Sequence, residues 1–151
     1  MAKKLKVSLN LFEGVKIIGL VTNLKDYRLA FNINNVLNLK LSRYKDFKPE
    51  GKDGQYSWYY FSQGGNYHSI TLINNNSFKG KLIFEPKIDF LLLIKNVFIE
   101  SLVNDALIKL RKIDGLNMAF ELQIAKIKNA DVLLEALEMH ELREVLRPKK
   151  S

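Results

Sequence analysis

The stretch from Ile88 to Lys95 constrains the fold more than any other part of the sequence. It reads IDFLLLIK, and its apolar residues follow one another without alternating with polar ones. A strand formed here is apolar on both faces, which is typical of the centre of a sheet. Its longest apolar run, Phe90 to Ile94, is far shorter than the ~20 residues that a membrane-spanning helix needs. We therefore predict that this stretch is the central strand of a sheet in a globular domain.

A helix and a further strand follow this central strand. Apolar residues recur at helical spacing from Ile99 to Ile113, and the run stops at Asp114-Gly115, where Gly115 suits the left-handed C′ position. Leu116 to Ile124 then alternates as a strand. Strand, helix and strand together predict a βαβ element like those of ferredoxin-like and ACT-like domains.

The chain before this element is predicted to contribute a hairpin and a helix. Leu5 to Leu11 and Val15 to Val21 both carry strand patterns, with Glu13-Gly14 as the turn between them. From Asn23 to Leu37 the spacing is helical, with Asn23 as the N-cap and Asp26 completing a start that resembles a capping box.

A second hairpin is rich in aromatic residues. Tyr56 to Phe61 and Tyr67 to Ile73 flank Gln63-Gly64-Gly65-Asn66, which is a turn signal. A short strand at Leu39 to Arg43 and a polar surface loop from Tyr44 to Gly54 are predicted before it.

The order of these elements predicts one α+β domain over residues 1–151, a length that suits a single core. We expect an antiparallel sheet with packed helices, as a ferredoxin-like or ACT-like sandwich preceded by the N-terminal hairpin. The last helix, Asp131 to Leu146, is amphipathic. Its glutamates are placed on or near the wet side: Glu135, Glu138, Glu141 and Glu144. Residues 147–151 form a basic tail, which Pro148 keeps out of the helix.

Several kinds of chemistry lack the residues they need. The chain has no cysteine, so disulfides, thiolate nucleophiles and cysteine-based metal sites are excluded. Neither a phosphate-binding loop nor a dinucleotide fingerprint occurs, and His68 and His140 are isolated from each other. The N-terminus shows no signal peptide pattern. We therefore expect a cytoplasmic protein without catalytic residues, metal or cofactor.

Three segments resemble a known family. They are Leu24 to Ala30 (LKDYRLA), Leu72 to Asn75 (LINN) and Leu82 to Phe90 (LIFEPKIDF). Over roughly residues 3–125 the chain resembles the IPExxxVDY family, small proteins of the Bacteroidetes without an assigned activity. Glu85 and Asp89 stand in the naming motif, with one residue fewer between them than in the family, and we expect both to be structural. The resemblance implies that the gene for this protein lies near the genes for ribonuclease III, acyl carrier protein and pyruvate kinase. This gene neighbourhood is a hint about partners of the protein.

The charge of the chain favours an acidic partner. The formal net charge is +8, and residues 1–53 hold 11 Lys and Arg against 5 Asp and Glu. Three groups of cations are candidate phosphate contacts: Lys3, Lys4 and Lys6 on the first strand, Lys25 and Arg28 at the start of the first helix, and Arg43, Lys45 and Lys48 around the polar loop. Tyr27, between Lys25 and Arg28, can be part of the core.

The aromatic hairpin supplies candidate stacking groups. Tyr56, Trp58 and Tyr60 share one face of the predicted strand, and an open sheet face would expose two or three rings, including Trp58, for bases to stack on. We therefore predict a non-catalytic binding protein for RNA or an RNA-handling assembly. Two alternatives stay open: an adaptor for an acidic protein such as acyl carrier protein, and an ACT-like sensor of a small metabolite, dimeric through the sheet edge.

Overall fold

A computed structural model describes residues 14–49, 51, 54–62, 69–77, 80–83, 87–95 and 100–146. Its elements in chain order are β1 (Lys16–Thr22), α1 (Asp26–Leu37), β2 (Ser42–Arg43), β3 (Trp58–Ser62), β4 (Ser69–Asn74), β5 (Asn76–Ser77), β6 (Gly80–Lys81), β7 (Phe90–Lys95), α2 (Glu100–Leu110), β8 (Leu116–Leu122), a 3₁₀ turn (Ile124–Lys126), α3 (Ala130–Glu141) and a π-helical turn (Leu142–Leu146). The described residues thus form an α+β fold. None of their helices is long and apolar enough to cross a membrane.

Within the described residues the main sheet has six strands in the order β2-β3-β4-β7-β1-β8, and every neighbouring pair is antiparallel. β7 lies between β4 and β1, which confirms the predicted central strand. β7 and β8 are both antiparallel to β1, which lies between them, so they run parallel to each other. With α2 they form a split βαβ unit, and the whole is consistent with a ferredoxin-like sandwich.

The sheet separates two apolar cores. On one face α1 and α2 cover a core that includes Ile18 and Leu92. On the other face α3 covers a core that includes Ile17, Leu91 and Trp58. Because successive strand residues point to opposite faces, Leu91 and Leu92 belong to different cores, which explains the two-sided apolar pattern of β7. Helices therefore pack on both faces of the sheet, whereas exposure of the hairpin rings requires an open face.

Helix α1 begins later than predicted. It starts three residues after Asn23, and Lys25 is the N-cap, without a side-chain hydrogen bond. The Thr22 hydroxyl accepts a hydrogen bond from the Leu24 backbone at 3.0 Å and donates one to the Gly115 carbonyl at 2.7 Å. These contacts stabilise a turn before the helix, so the predicted capping by Asn23 is wrong.

Helix α2 also differs from its predicted end. It stops at Leu110, and Arg111 to Gly115 form a turn instead of a last helical segment. Gly115 does have the predicted positive φ, 95°, but as the residue before β8 and not next to the helix end. A Cβ at this position would lie 3.0 Å from Leu24 Cδ2, so a larger residue would also require the Leu24 side chain to shift.

Some predicted segments lie outside the described residues. They are the first strand at residues 5–11, the glycine turn at residues 63–66 and the tail at residues 147–151. The second strand of the predicted N-terminal hairpin is β1. β1 pairs with β7 on one side and with β8 on the other, so from Ile17 to Leu20 both of its edges are already paired.

Candidate functional site

The rings that share one face of the aromatic hairpin, Tyr56, Trp58 and Tyr60, are buried beneath α3. Trp58 is only 1% exposed, and Tyr56 and Tyr60 are buried with it. The Trp58 ring stacks on Tyr60 with centroids 5.3 Å apart and meets the His140 ring edge-on at 4.6 Å. Both sides of the indole therefore contact protein. Trp58 has no free face for a nucleic-acid base, and its predicted exposure is wrong.

The exposed rings lie instead on α1. Tyr27 is 62% exposed and Phe31 is 64% exposed, and they are four residues apart, so both project from the same side of the helix. Leu29 and Ile33 occupy the side of α1 that packs on the sheet. Tyr27 therefore lies outside the core, because the apolar stripe that meets the sheet is the one through Leu29 and Ile33.

Two predicted cations flank these rings. Lys25 at the N-cap and Arg28 in the first turn are both exposed. Asp26 is the acidic residue of α1, and its carboxylate turns away to Arg43, whose Nη1 lies 3.1 Å from Asp26 Oδ2. We call Lys25, Tyr27, Arg28 and Phe31 the outer face of α1. It combines two rings with two cations, and the nearby carboxylate is already paired.

Arg43 has partners of its own. Its guanidinium donates to Asp26 and, at 2.7 Å, to Asp46, and it lies over the Tyr59 ring at 5.5 Å from the centroid. The hydrogen bond with Asp46 raises the pKa of Arg43 despite partial burial. These contacts tie β2 to α1, so the structure does not leave Arg43 free as a phosphate contact.

Lys45 and Lys48 line a cleft on the opposite side of the sheet from α1. The cleft has a volume of about 300 Å³. Its lining residues are Lys45, Asp46, Lys48, Gln55, His140, Arg143 and Glu144. We call it the α3 cleft. The predicted cations that the structure describes therefore divide between the outer face of α1, the α3 cleft and the Arg43 bridge.

His140 anchors the wall of this cleft. Its Nε2–H donates to the Lys45 carbonyl at 2.9 Å, and its ring meets Phe47 edge-on at 5.5 Å. Burial lowers the pKa of His140, which favours the neutral ring. His140 is thus a buried residue that holds the loop carrying Lys45 against α3.

A polar cluster that the sequence did not predict lies between the sheet and α3. Glu141 is buried, which corrects its placement on the wet side of the last helix. Its carboxylate accepts hydrogen bonds from the Tyr60 hydroxyl at 2.6 Å and from Lys95 Nζ at 2.5 Å. Burial and the neighbouring carboxylate raise the pKa of Tyr60 well above its usual range. Only the fold could show this cluster, because its three residues come from β3, β7 and α3.

Among the remaining predicted residues, Asp89 has hydrogen-bond partners in the structure and the others lie outside the described residues. Asp89 accepts hydrogen bonds from the Thr22 backbone at 2.9 Å and from the Asn76 side chain at 3.2 Å, which agrees with its predicted structural role. Lys3, Lys4, Lys6, His68 and Glu85 lie outside the described residues. Within the described ranges no group of three or more His, Cys, Asp or Glu could hold a metal ion.

Comparison of the chain with protein-family models, with curated proteins and with solved structures finds no match. The resemblance to the IPExxxVDY family therefore stays a prediction.

Proposed function

We propose that this protein is a non-catalytic binding protein that binds single-stranded RNA on the outer face of α1. The observation that carries the proposal is the pair of exposed rings, Tyr27 and Phe31, beside the exposed cations Lys25 and Arg28. We also propose that it acts in the cytoplasm and belongs to the IPExxxVDY family.

The chemistry of this face suits a single strand. Side chains four residues apart on a helix are neighbours, so Tyr27 and Phe31 offer two adjacent surfaces for bases. Base stacking on an aromatic side chain contributes about 1–3 kcal/mol and tolerates any sequence. Lys25 and Arg28 supply attraction to phosphates, and the pairing of Asp26 with Arg43 weakens the nearest repulsion.

The same face also fits an acidic protein, which is the second candidate. Tyrosine and arginine are enriched at protein interfaces, and both occur here as Tyr27 and Arg28. The two candidates differ in what the rings do. RNA needs Tyr27 and Phe31 as stacking surfaces for any single strand, whereas a protein needs them as anchors in one matching pocket.

The test is a binding titration with labelled single-stranded oligoribonucleotides, followed by fluorescence anisotropy at several salt concentrations. Tyr27→Ala and Phe31→Ala should each weaken binding by about 1–3 kcal/mol without changing the salt dependence. Lys25→Gln should make the log-log salt slope shallower by about 0.7.

Matched controls come from α2, where Ile108 is exposed and Lys109 is an exposed cation. Ile108→Ala and Lys109→Gln should leave RNA binding unchanged. If the wild-type protein does not bind RNA even at ~50 mM salt, the RNA proposal fails and the acidic protein becomes the first candidate.

A further inference from the structure

The α3 cleft has a wall whose backbone is held in place. The Tyr44 N–H donates to the Trp58 carbonyl at 3.1 Å, and Phe47 and Tyr56 exchange backbone hydrogen bonds of 2.8 and 3.0 Å. The Phe47 side chain is buried, and the bond from His140 holds the Lys45 carbonyl. The loop that carries Lys45 is therefore ordered by contacts within the protein, which lowers the entropy cost of binding a ligand there.

The cleft carries an excess of positive charge. Lys45 and Lys48 are exposed on the loop wall and Arg143 on the helix wall, and none of the three forms an ion pair within the described residues. Asp46 lies in the cleft but is bound to Arg43 at 2.7 Å. Glu144 is the remaining carboxylate of the lining. Arg43 also binds Asp26, so it does not cancel the charge of Asp46 in full. Over the described lining, three cations against the two carboxylates of Asp46 and Glu144 leave a net charge of about +1, which favours an anion.

The size of the cleft indicates more than a bare ion. A volume of about 300 Å³ lies at the lower end of the range for small-molecule sites. A phosphate monoester carries about −1.5 to −2 charges at pH 7 and has three strong acceptor oxygens. Lysine ammonium groups, the Arg143 guanidinium and the Gln55 amide are donors of the kind that such oxygens accept.

We propose that the α3 cleft binds a phosphate monoester, with Lys45 and Lys48 on one wall and Arg143 on the other. The phosphate belongs to a small phosphorylated metabolite or to the 5′ end of an RNA. This site does not depend on the proposed function, because it uses no residue of the outer face of α1 and lies on the opposite side of the sheet.

The first experiment uses inorganic phosphate as the probe, in isothermal titration calorimetry at constant ionic strength with chloride as the balancing anion. The single tryptophan gives a second readout, because Trp58 contacts His140 in the cleft wall at 4.6 Å. We expect saturable binding, weakened about tenfold by Lys48→Gln and by Arg143→Gln, since each removes a charge-assisted hydrogen bond.

The matched control is Lys126→Gln, which changes an exposed lysine that lines a different groove. It should leave phosphate binding within about twofold of wild type, as expected for a distant charge screened by salt. The proposal is overturned if phosphate binds no better than chloride, or if Lys126→Gln weakens binding as much as Arg143→Gln does. Unchanged melting temperatures show that the variants fold.

The source of the phosphate is distinguished in a second experiment with the Lys25→Gln/Arg28→Gln double variant, which lacks the cations of the outer face of α1. Tighter binding of a 5′-phosphorylated oligoribonucleotide than of its 5′-hydroxyl form supports the cleft as a site for RNA ends. Tighter binding of ribose 5-phosphate than of both oligonucleotides supports a metabolite. If Arg143→Gln weakens the binding of none of these three ligands, the cleft is not a phosphate site.

Discussion

At the scale of single residues, a buried histidine and a buried glutamate attach α3 to the neighbouring loop and to the sheet. His140 donates to a loop carbonyl from a buried position, while Glu141 accepts from Tyr60 and Lys95. A buried imidazole is favoured as the neutral form, and a buried carboxylate needs donors to replace water. The attachment of α3 is therefore sensitive to protonation of His140 and to substitution of either residue.

The first prediction concerns pH. The folded-state pKa of His140 is lowered from 6.5, so below about pH 6.5 the unfolded chain binds more protons at this site than the folded chain does. The contribution of neutral His140 is fully present above pH 6.5 and is lost as pH falls through the lowered folded-state pKa. Urea unfolding at several pH values should therefore show a free energy of unfolding that decreases on acidification.

His140→Gln is the matching variant, since it removes the titrating ring but keeps a side-chain amide. It should flatten the pH dependence in this window. The charged groups around the ring are Asp46, Arg143 and Glu144, and all three remain in the variant. An equally steep decrease in His140→Gln would assign the effect to other groups.

The second prediction concerns Glu141. Glu141→Gln removes the charge that binds Lys95 and weakens the hydrogen bond from Tyr60. We expect it to lower the free energy of unfolding by about 1–2 kcal/mol. This loss is smaller than for a fully buried ion pair because Lys95 is partly exposed. Glu138→Gln is the control. Its carboxylate lies 3.5 Å from the same Lys95 Nζ but is 60% exposed, so it should cost less than about 0.5 kcal/mol. Equal losses in the two variants would contradict the role of burial.

At the scale of elements, β8 is the last strand of the sheet among the described residues, and a side chain covers its outer edge. The Leu20 carbonyl accepts from the Asp89 N–H on the β7 side of β1, so Ala119, which is opposite Leu20 in β8, turns its own carbonyl outward. The Arg111 guanidinium donates to this carbonyl at 3.1 and 2.8 Å. A side chain thus caps the outer edge of β8, a common way to prevent one sheet edge from pairing with another.

The third prediction follows from this cap. Arg111→Ala should leave the Ala119 carbonyl open and increase self-association, measured as a concentration-dependent sedimentation coefficient in analytical ultracentrifugation. Lys112→Ala removes a neighbouring exposed cation that is not bonded to the strand edge within the described residues, and should stay as wild type. If wild type and Arg111→Ala sediment identically over the concentration range, the guanidinium is not what protects this edge.

At the scale of the whole molecule, the two cores share one sheet. Leu92 is fully buried in the core under α1 and α2, and its neighbour Leu91 is fully buried in the core under α3. Both layers are therefore anchored on β7. Disruption of this strand should remove both cores together.

The fourth prediction tests this coupling. Leu92→Asp places an unpaired carboxylate in the core, at a cost of several kcal/mol against a total stability of about 5–15 kcal/mol, so the domain should be unfolded at 25 °C. Leu102→Asp on α2 is the control, because Leu102 is exposed. Circular dichroism and the emission of Trp58, which lies in the other core, should report the loss together. A cooperative thermal transition in Leu92→Asp would contradict the coupling.

The pattern of residues near one another in the chain determined the central strand, the βαβ unit and the α+β class. Periodicity is a local property, and the apolar run of β7 or the helical spacing of α2 is readable without a partner. The sequence pattern places the N-cap of α1 at Asn23, whereas the N-cap in the structure is Lys25. The turn before the helix is held by a hydrogen bond from the Thr22 hydroxyl to the Gly115 carbonyl, a contact that only the folded chain provides.

The surfaces were decided by tertiary structure. Whether Trp58 is exposed depends on where α3 packs, and whether Tyr27 is exposed depends on which side of α1 faces the sheet. The local sequence pattern around an aromatic residue is the same whether its ring is buried or exposed. The α3 cleft brings Lys45 and Arg143 together across 98 positions of chain. Such long-range proximity comes from the burial of two apolar cores on opposite faces of one sheet, which no local pattern of charges can reveal.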